Sequence, residues 1–589
     1  MGCRDCTKVA VAIECVTQAW QTLDESMMCS MRMGWLLVNW AWILSAGMLA
    51  QQAQLPAAPS QNDSAAAVIL SDALRLYRKG SFDQALARYN EVLKTDPQSG
   101  DAYAGIVRCY LKQDRVHEAD DAVRKGLQAD PGRADLKVAE GELLFRQGEI
   151  PEAGALFSEV IASPPSEGQP NARAYLGAAR VAAASAMYSR ENIFVRRAHA
   201  IDPSDPDVQK KWMQTLGTAE RIKSLEEYLS QPTNDDADTR RRLKERMDFL
   251  KASQVAQPGR CHLASSVAAT ETNLIALQSR DGTAQEVGIQ VTINGQDSRL
   301  LLDTGASGIL INNKLASQAG LKPVADIRIS GVGDKPDLQG HIEYANSVRI
   351  GKLEFQNCPV HVVDRVPTAD DGIIGADVFS QFLIEIDFPT SMLRLSQLPP
   401  RPGEAPSKAS LKTGDEEPSP EAEAKPSAES AGSTQSQPSS PKYFDRYIAP
   451  EMHSYVQAFR IGHMLLVPTK INQGSEKLFL LDSGSFDNTI DPETAKEVTK
   501  VHRAPRIEVH GLNGDVKKVY VADKVMLDFG HLRQTVPDMV AFDMSRVSSH
   551  AGTEISGTLG MVMLRLLKIR LDYRDALADF QYTPAPTRH

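Results

Sequence analysis

Two stretches of this chain can be laid on one another, and a duplicated pattern restricts the fold more than any single motif does. TINGQDSRLLLDTGAS, from Thr292, matches KINQGSEKLFLLDSGSF, from Lys470, with one residue inserted before the apolar run, so that Asp303 pairs with Asp482, 179 residues later. GIIGADVFSQFLIEIDFPTSMLRL, from Gly372, matches GTLGMVMLRLLKIRLDYRDALADF, from Gly557, without a gap. Gly375 thereby pairs with Gly560, and Asp387 with Asp572. Short β-branched runs with polar punctuation, such as VGIQVTING, NSVRIGKLEF and CPVHVVD, read as strands. In each copy an apolar run, Leu300 to Leu302 or Leu478 to Leu481, delivers one carboxylate into a glycine turn.

Between these anchors lies a glycine-punctuated hairpin signal: ISGVGDKPDLQG in the first copy and VHGLNGDVKKVY in the second, where Asn513-Gly514 predicts a type I′ turn. A lone Asp-Thr-Gly suits an ordinary turn and carries little weight. The conjunction carries more. Each copy resembles half of an aspartic protease of the retropepsin type, over Val287 to Leu395 and about Met464 to Phe580: Asp-Thr/Ser-Gly, a flap hairpin, then a second apolar strand ending in Ile373-Ile374-Gly375 or Thr558-Leu559-Gly560.

The resemblance implies a mostly-β, bilobed, pseudo-dimeric acid-protease fold with Asp303 and Asp482 as the catalytic pair. One carboxylate cannot both take a proton from water and give one to a carbonyl, whereas two in contact share a proton and titrate as a unit. The ionised member serves as general base on water and the protonated member donates to the scissile carbonyl. Such chemistry implies a peptide or protein substrate, no metal and no cofactor. By the family pattern the hydroxyls of Thr304 and Ser483 bond across to the opposite lobe. Gly305 and Gly484 allow close backbone approach. Ile374, Gly375, Leu559 and Gly560 support the turns, and Gly331, Gly333, Gly511 and Gly514 belong to the flaps. Three features depart from the pattern: Phe486 stands where a small hydroxyl residue is usual, Thr558 replaces an apolar residue, and the flaps lack an obvious aromatic. Two arrangements fit, pairing of the copies within one chain or pairing of first copies between chains.

Upstream the period changes. Ala85, Ala119 and Ala153 recur every 34 residues, as do Tyr77, Leu111 and Phe145, and Pro97, Pro131 and Pro165 close the units in step. Gly80 recurs as Gly148, and a weaker fourth unit ends at Asp202-Pro203. This resembles the tetratricopeptide repeat and predicts an all-α solenoid over residues 65–255. Its concave face serves either to capture a protein partner or substrate, or as a spacer.

A chain of 589 residues exceeds one core, so several domains are expected. A net charge of −10 leaves no basic footprint for nucleic acid. Residues 1–54 read as a leader: Arg32 precedes an apolar run of about 16 residues, Trp35 to Ala50, which fits a secretory signal with Met31 or Met33 as the start, or an uncleaved membrane anchor. Export to the periplasm or the exterior is the expectation. Residues 399–442, rich in Pro, Ser, Glu, Ala and Lys, read as a disordered linker between half-domains at 285–398 and 445–582. Outside the leader only Cys109, Cys261 and Cys358 remain, which predicts idle buried thiols, with a Cys261–Cys358 bridge as the alternative. Asp387 and Asp572 read as structural strand ends. His341, His361, His453, His463, His502 and His510 show no metal-ligand spacing and are assigned to surface or strand positions. The functional expectation is an aspartic endopeptidase whose repeats recruit substrate or partner proteins. Its alternatives are a binding protein with a protease-derived module that no longer cuts, and a scaffold whose β-halves only oligomerise.

Overall fold

The computed structural model describes residues 61–163, 170–256, 259–278, 285–366, 370–402 and 444–582. The leader and most of the linker lie outside the described residues. Among those described, four helix pairs run from Gln61–Arg78 with Phe82–Thr95 to Ala172–Ala184 with Tyr188–Ile201, and three further helices end at Ala256. Ala85, Ala119 and Ala153 are fully buried where paired helices approach. The turn within a pair needs a left-handed residue, supplied by Gly80 (φ +77°) and Gly148 (φ +83°). In the second and fourth pairs Asp114 (φ +58°) and Ala186 (φ +57°) hold the same conformation, so the turn recurs where the glycine does not. No helix among the described residues is long and apolar enough to cross a membrane.

The 34-residue period also sets charges against one another. Arg108 and Glu142 stand one repeat apart and bond at 3.1 Å; Arg173 and Asp207 stand one repeat apart at 3.3 Å. Arg173 further reaches Glu142 and Asp205, both at 2.7 Å, and Lys112 reaches Asp207 at 2.6 Å. The result is a buried, alternating ion network through the solenoid.

The described residues of the β half form three main sheets. Eleven strands make the first lobe and eight the second. In the first, Gln296–Asp303 runs parallel to Gly372–Gly375, in register Asp303 to Gly375, and Gly372–Gly375 runs antiparallel to Ile309–Asn312. In the second, Glu476–Leu481 runs parallel to Gly557–Leu559, which runs antiparallel to Thr489–Ile490. The duplicated sequence thus gives the same three-strand crossing twice. A third, six-stranded sheet takes strands from both lobes. At its centre Phe382–Asp387 and Leu567–Asp572, the matched strands of the two copies, pair antiparallel, with Glu385 opposite Arg570 and bonded to it at 2.8 Å. The halves therefore pair within one chain, and one apolar core runs through both.

The solenoid is part of this body. Val138, Phe145, Ile150 and Phe157 share a buried cluster with Leu466, Leu478, Leu480, Phe542 and Ile555 of the second lobe. Beside it Thr553 Oγ1 donates to Phe145 O at 2.7 Å and Glu554 N to Arg146 O at 2.8 Å.

Two expectations are corrected. Cys261 and Cys358 form a disulfide, which ties the chain just before the strand His262–Leu263 to the strand Cys358–Val363 across 97 residues, and only Cys109 is a buried free thiol among the described residues. The predicted linker begins too early. Arg401 is buried in an ion pair with Asp575, whose Oδ1 also accepts Tyr447 N at 3.0 Å, so residues on both sides of 403–443 are pinned on one carboxylate. A charged side chain in a Pro-rich run looks solvated until its distant partner is known.

Candidate active site

Each lobe presents its aspartate at the end of a buried strand. Leu300, Leu301 and Leu302 in the first lobe, and Leu478, Phe479, Leu480 and Leu481 in the second, are packed inside, which leaves the following turn as the first chain able to face the cleft between lobes. The two turns meet in one hydrogen-bonded exchange. Thr304 N donates to Ser483 Oγ at 3.0 Å and Ser483 N to Thr304 Oγ1 at 2.9 Å. The hydroxyls in turn donate across the lobes, Thr304 Oγ1 to Leu481 O and Ser483 Oγ to Leu302 O, both at 2.8 Å. Two short hydroxyl side chains thus satisfy four buried backbone groups and fix the lobes' relative position at the site.

This exchange brings Asp303 and Asp482 into contact. Their carboxyl groups hydrogen-bond to each other. Gly305 N donates to Asp303 Oδ1 at 2.7 Å, and Gly484 N and Ser485 N donate to Asp482 Oδ1 at 3.0 and 3.1 Å. The glycines are required by space: a Cβ on Gly305 would lie 3.0 Å from the Asp482 carboxyl carbon, and one on Gly484 would collide with the Asp303 carboxylate. Burial raises the Asp303 carboxyl above its ordinary range, opposed by the Gly305 N–H, the bond from Asp482 and the charge of His463. Burial and then the charge of Asp303 push Asp482 up much further. One proton shared by the pair follows.

The supporting elements occupy corresponding places. Gly375 N donates to Gly308 O at 2.7 Å, Gly308 N to Asp377 Oδ1 at 2.9 Å, and Ile374 is fully buried. In the second lobe Leu559 O accepts Asp482 N at 3.1 Å, and Gly560 N donates to Asn488 Oδ1 at 2.8 Å. The departures of Phe486 and Thr558 from the family pattern are absorbed. Phe486 turns its ring outward, 44% exposed and beneath Arg565, while its carbonyl accepts Val562 N at 2.7 Å. Thr558 is buried with its hydroxyl 2.8 Å from that of Thr489, which removes the cost of a polar group there.

The four flap glycines lie where the flaps touch each other. Asn513 N donates to Val332 O at 2.8 Å, Lys335 N to Asn513 O at 2.9 Å and Asn513 Nδ2 to Pro336 O at 2.9 Å, while Gly331 N donates to Asn513 Oδ1. Cβ atoms on Gly331, Gly333, Gly511 or Gly514 would meet the opposite flap. The predicted type I′ turn is not formed. His510 pairs with Asp515 and Gly511 with Gly514, so Leu512-Asn513 is the central pair, and Gly514 (φ +79°) rather than Asn513 is left-handed. Asn513 is held in that register by its four bonds to the other flap.

The sequence profile of the aspartyl protease family matches residues 289–378 and again 467–562. The β half is an aspartyl-protease domain in two copies. Tetratricopeptide profiles match residues 76–126 and 106–168 of the helical region. Among solved structures, a retropepsin-like aspartic protease from Rickettsia conorii is 26% identical, with 22% of this chain and 92% of that one covered and a TM-score of 0.17. PilF of Pseudomonas aeruginosa is 19% identical, covering 33% and 86%, and PilW, a type IV pilus biogenesis factor, is 20% identical, covering 33% and 85%, each with a TM-score of 0.23. No curated protein sequence matches.

One residue beside the paired carboxyls of the aspartyl-protease domain carries no signal in the sequence. His463, in the hairpin turn between Phe459–Ile461 and Met464–Ile471, places Nε2 3.2 Å from Gly305 O, 158 residues away and in the other lobe. No local pattern marks such a contact, since it exists only once the lobes pair. Among the described residues no group of three His, Cys, Asp or Glu side chains is placed to hold a metal ion.

Proposed function

We propose that the chain is an aspartic endopeptidase that hydrolyses peptide bonds through Asp303, Asp482 and a water molecule. The observation that carries the reading is the contact between the two carboxyl groups inside a reciprocal Thr304–Ser483 exchange. Water's oxygen bonds to the scissile carbonyl carbon as Asp303 takes one of its protons and the Asp482 proton passes to the carbonyl oxygen. The tetrahedral diol then collapses: the C–N bond breaks, the amine nitrogen takes the proton from Asp303, and one hydroxyl returns its proton to Asp482. Each turnover restores both carboxyls. The flaps would have to part for an extended peptide to enter and would then bond its backbone in strand fashion.

Two wider readings accompany this one. The solenoid recruits substrate or partner proteins to the adjoining protease, and the protein is exported, either free or held by its N-terminal segment. The Cys261–Cys358 disulfide supports an oxidising compartment.

The test is cleavage of a peptide library by purified protein at mildly acidic pH. Asp303→Asn and Asp482→Asn are each expected to lower kcat/KM by about 100-fold to 10,000-fold. Unchanged cleavage in both would remove the dyad, and saturable peptide binding without hydrolysis in the unsubstituted protein would establish the binding-protein alternative instead.

A further inference from the structure

The two copies are alike in every bond of the central exchange, but contacts from the second lobe onto the first turn break the symmetry. His463 reaches from the second lobe onto Gly305 O at 3.2 Å, and Gly305 N is the group that holds Asp303 Oδ1 at 2.7 Å. The same alignment that pairs Thr292 with Lys470 puts Gln285, not a histidine, at the matching place ahead of the first copy's strand. Tyr573, also from the second lobe, places Oη 3.5 Å from Thr304 O. The first turn thus receives support from the opposite lobe, with an ionisable ring on the carbonyl of the residue whose N–H holds Asp303 Oδ1.

We propose that His463 is a positioning residue for the dyad: by donating Nε2–H to the Gly305 carbonyl it holds the first turn, and as imidazolium it assigns Asp303 the role of ionised base and Asp482 that of proton donor. This rests on the aspartic-protease reading and deepens it. A cation near one member of a proton-sharing pair favours the charged form of that member, so the shared proton settles on the other. Other charged and titratable groups belong to the same hairpin as His463 or bond to it. On its own hairpin Arg460 donates Nε to Gly462 O and Nη1 to Tyr573 O, both at 2.9 Å, and stacks over the Tyr573 ring, with Asp377 acting on Tyr573 from beyond. These remain in any His463 variant, so substitution isolates the imidazole.

The experiment compares the unsubstituted protein with His463→Ala, His463→Gln and His463→Lys. The Ala and Gln variants remove the imidazolium charge that the proposal invokes. Loss of that charge raises the pKa of the ionised carboxylate, so the acid limb of the kcat/KM–pH profile is expected to move to higher pH by about half a unit to one unit in the Ala and Gln variants. His463→Gln retains a donor and is expected to keep the plateau kcat better than His463→Ala, and His463→Lys is expected to return the acid limb. Acid limbs of both Ala and Gln variants that superimpose on the unsubstituted profile would overturn the proposal. A second readout needs no turnover: 13C-carboxyl NMR titration of labelled aspartate, assigned with Asp303→Asn and Asp482→Asn. If nothing is cleaved, the protease reading falls, while the presence or absence of the same displacement in the titration still decides the role of His463.

Discussion

Asp572 ends a buried strand with Oδ1 accepting Asp575 N at 3.0 Å and Oδ2 buried without a partner among the described residues. Burial, and then the charge of Asp575, push its carboxyl up to about 6. A carboxyl raised in the folded state binds its proton more tightly there than in the unfolded chain. Its ionisation therefore removes stability as pH climbs from the unfolded value of about 3.9 through 6, by roughly 2 to 3 kcal/mol once complete. Asp572→Asn lacks that charge and is expected to raise Tm at pH 7 while changing it little at pH 4; an equal shift at both would show that the charge is not the cause. That Asp387 and Asp572 end buried strands was readable from the apolar runs before them. His463 was not readable, because a histidine in a hairpin turn looks the same whether it faces water or another lobe.

At the scale of elements, the flaps act as a mutual latch centred on Asn513. The latch is also tied to the last solenoid helix and to Ser545–Ala551: Asp337 of the first flap accepts Arg241 at 3.0 Å and pairs with Arg546, whose Nη1 donates to Gly333 O at 3.1 Å. Asn513→Ala removes the two side-chain bonds between flaps while leaving the cores untouched. Hydrogen exchange in 330–337 and 510–517 is expected to quicken by about five- to thirty-fold with Tm nearly unchanged, since each bond contributes only about 1 kcal/mol. Unchanged exchange would mean that the backbone bonds alone hold the flaps. The glycines here were legible as hairpin signals, but the turn's register was not, because it is set by bonds between segments 182 residues apart. The same holds for Arg401, Asp575 and the disulfide. By contrast the strands, the helical period and the duplicated turn are written in local periodicity and in self-similarity, which one sequence suffices to show.

At the scale of the whole molecule, the two halves respond to acid in opposite senses while sharing one interface. Burial opposes ionisation of Asp207, but Lys112, Lys210 and Arg173 overcome it and hold this carboxyl well below its ordinary range; Asp205 and Glu142 are also lowered, with Arg173 overcoming burial in each. A lowered carboxyl contributes stability that is present above the unfolded pKa of about 4 and lost as pH falls through the folded value. These three carboxyls therefore weaken the solenoid as pH falls into strong acid. In the β half, Asp303, Asp482 and Asp572 are raised, so that half weakens as pH rises toward neutrality. Leu478, Leu480, Phe145 and Ile150 couple the halves through a shared apolar cluster, each such side chain contributing about 1.5 to 3 kcal/mol when fully buried. Deleting residues 65–255 would expose that cluster, so loss of activity after deletion would not by itself show that the repeats recruit substrate. The intact chain is expected to melt in one calorimetric transition, with Tm highest between about pH 4 and 6 and lower on both sides. Scanning calorimetry from pH 3 to 8 checks both features. Two separated transitions would show that the interface does not couple the halves, and a Tm that climbs steadily from pH 4 to 7 would show that the raised carboxyls of the protease half do not govern its stability.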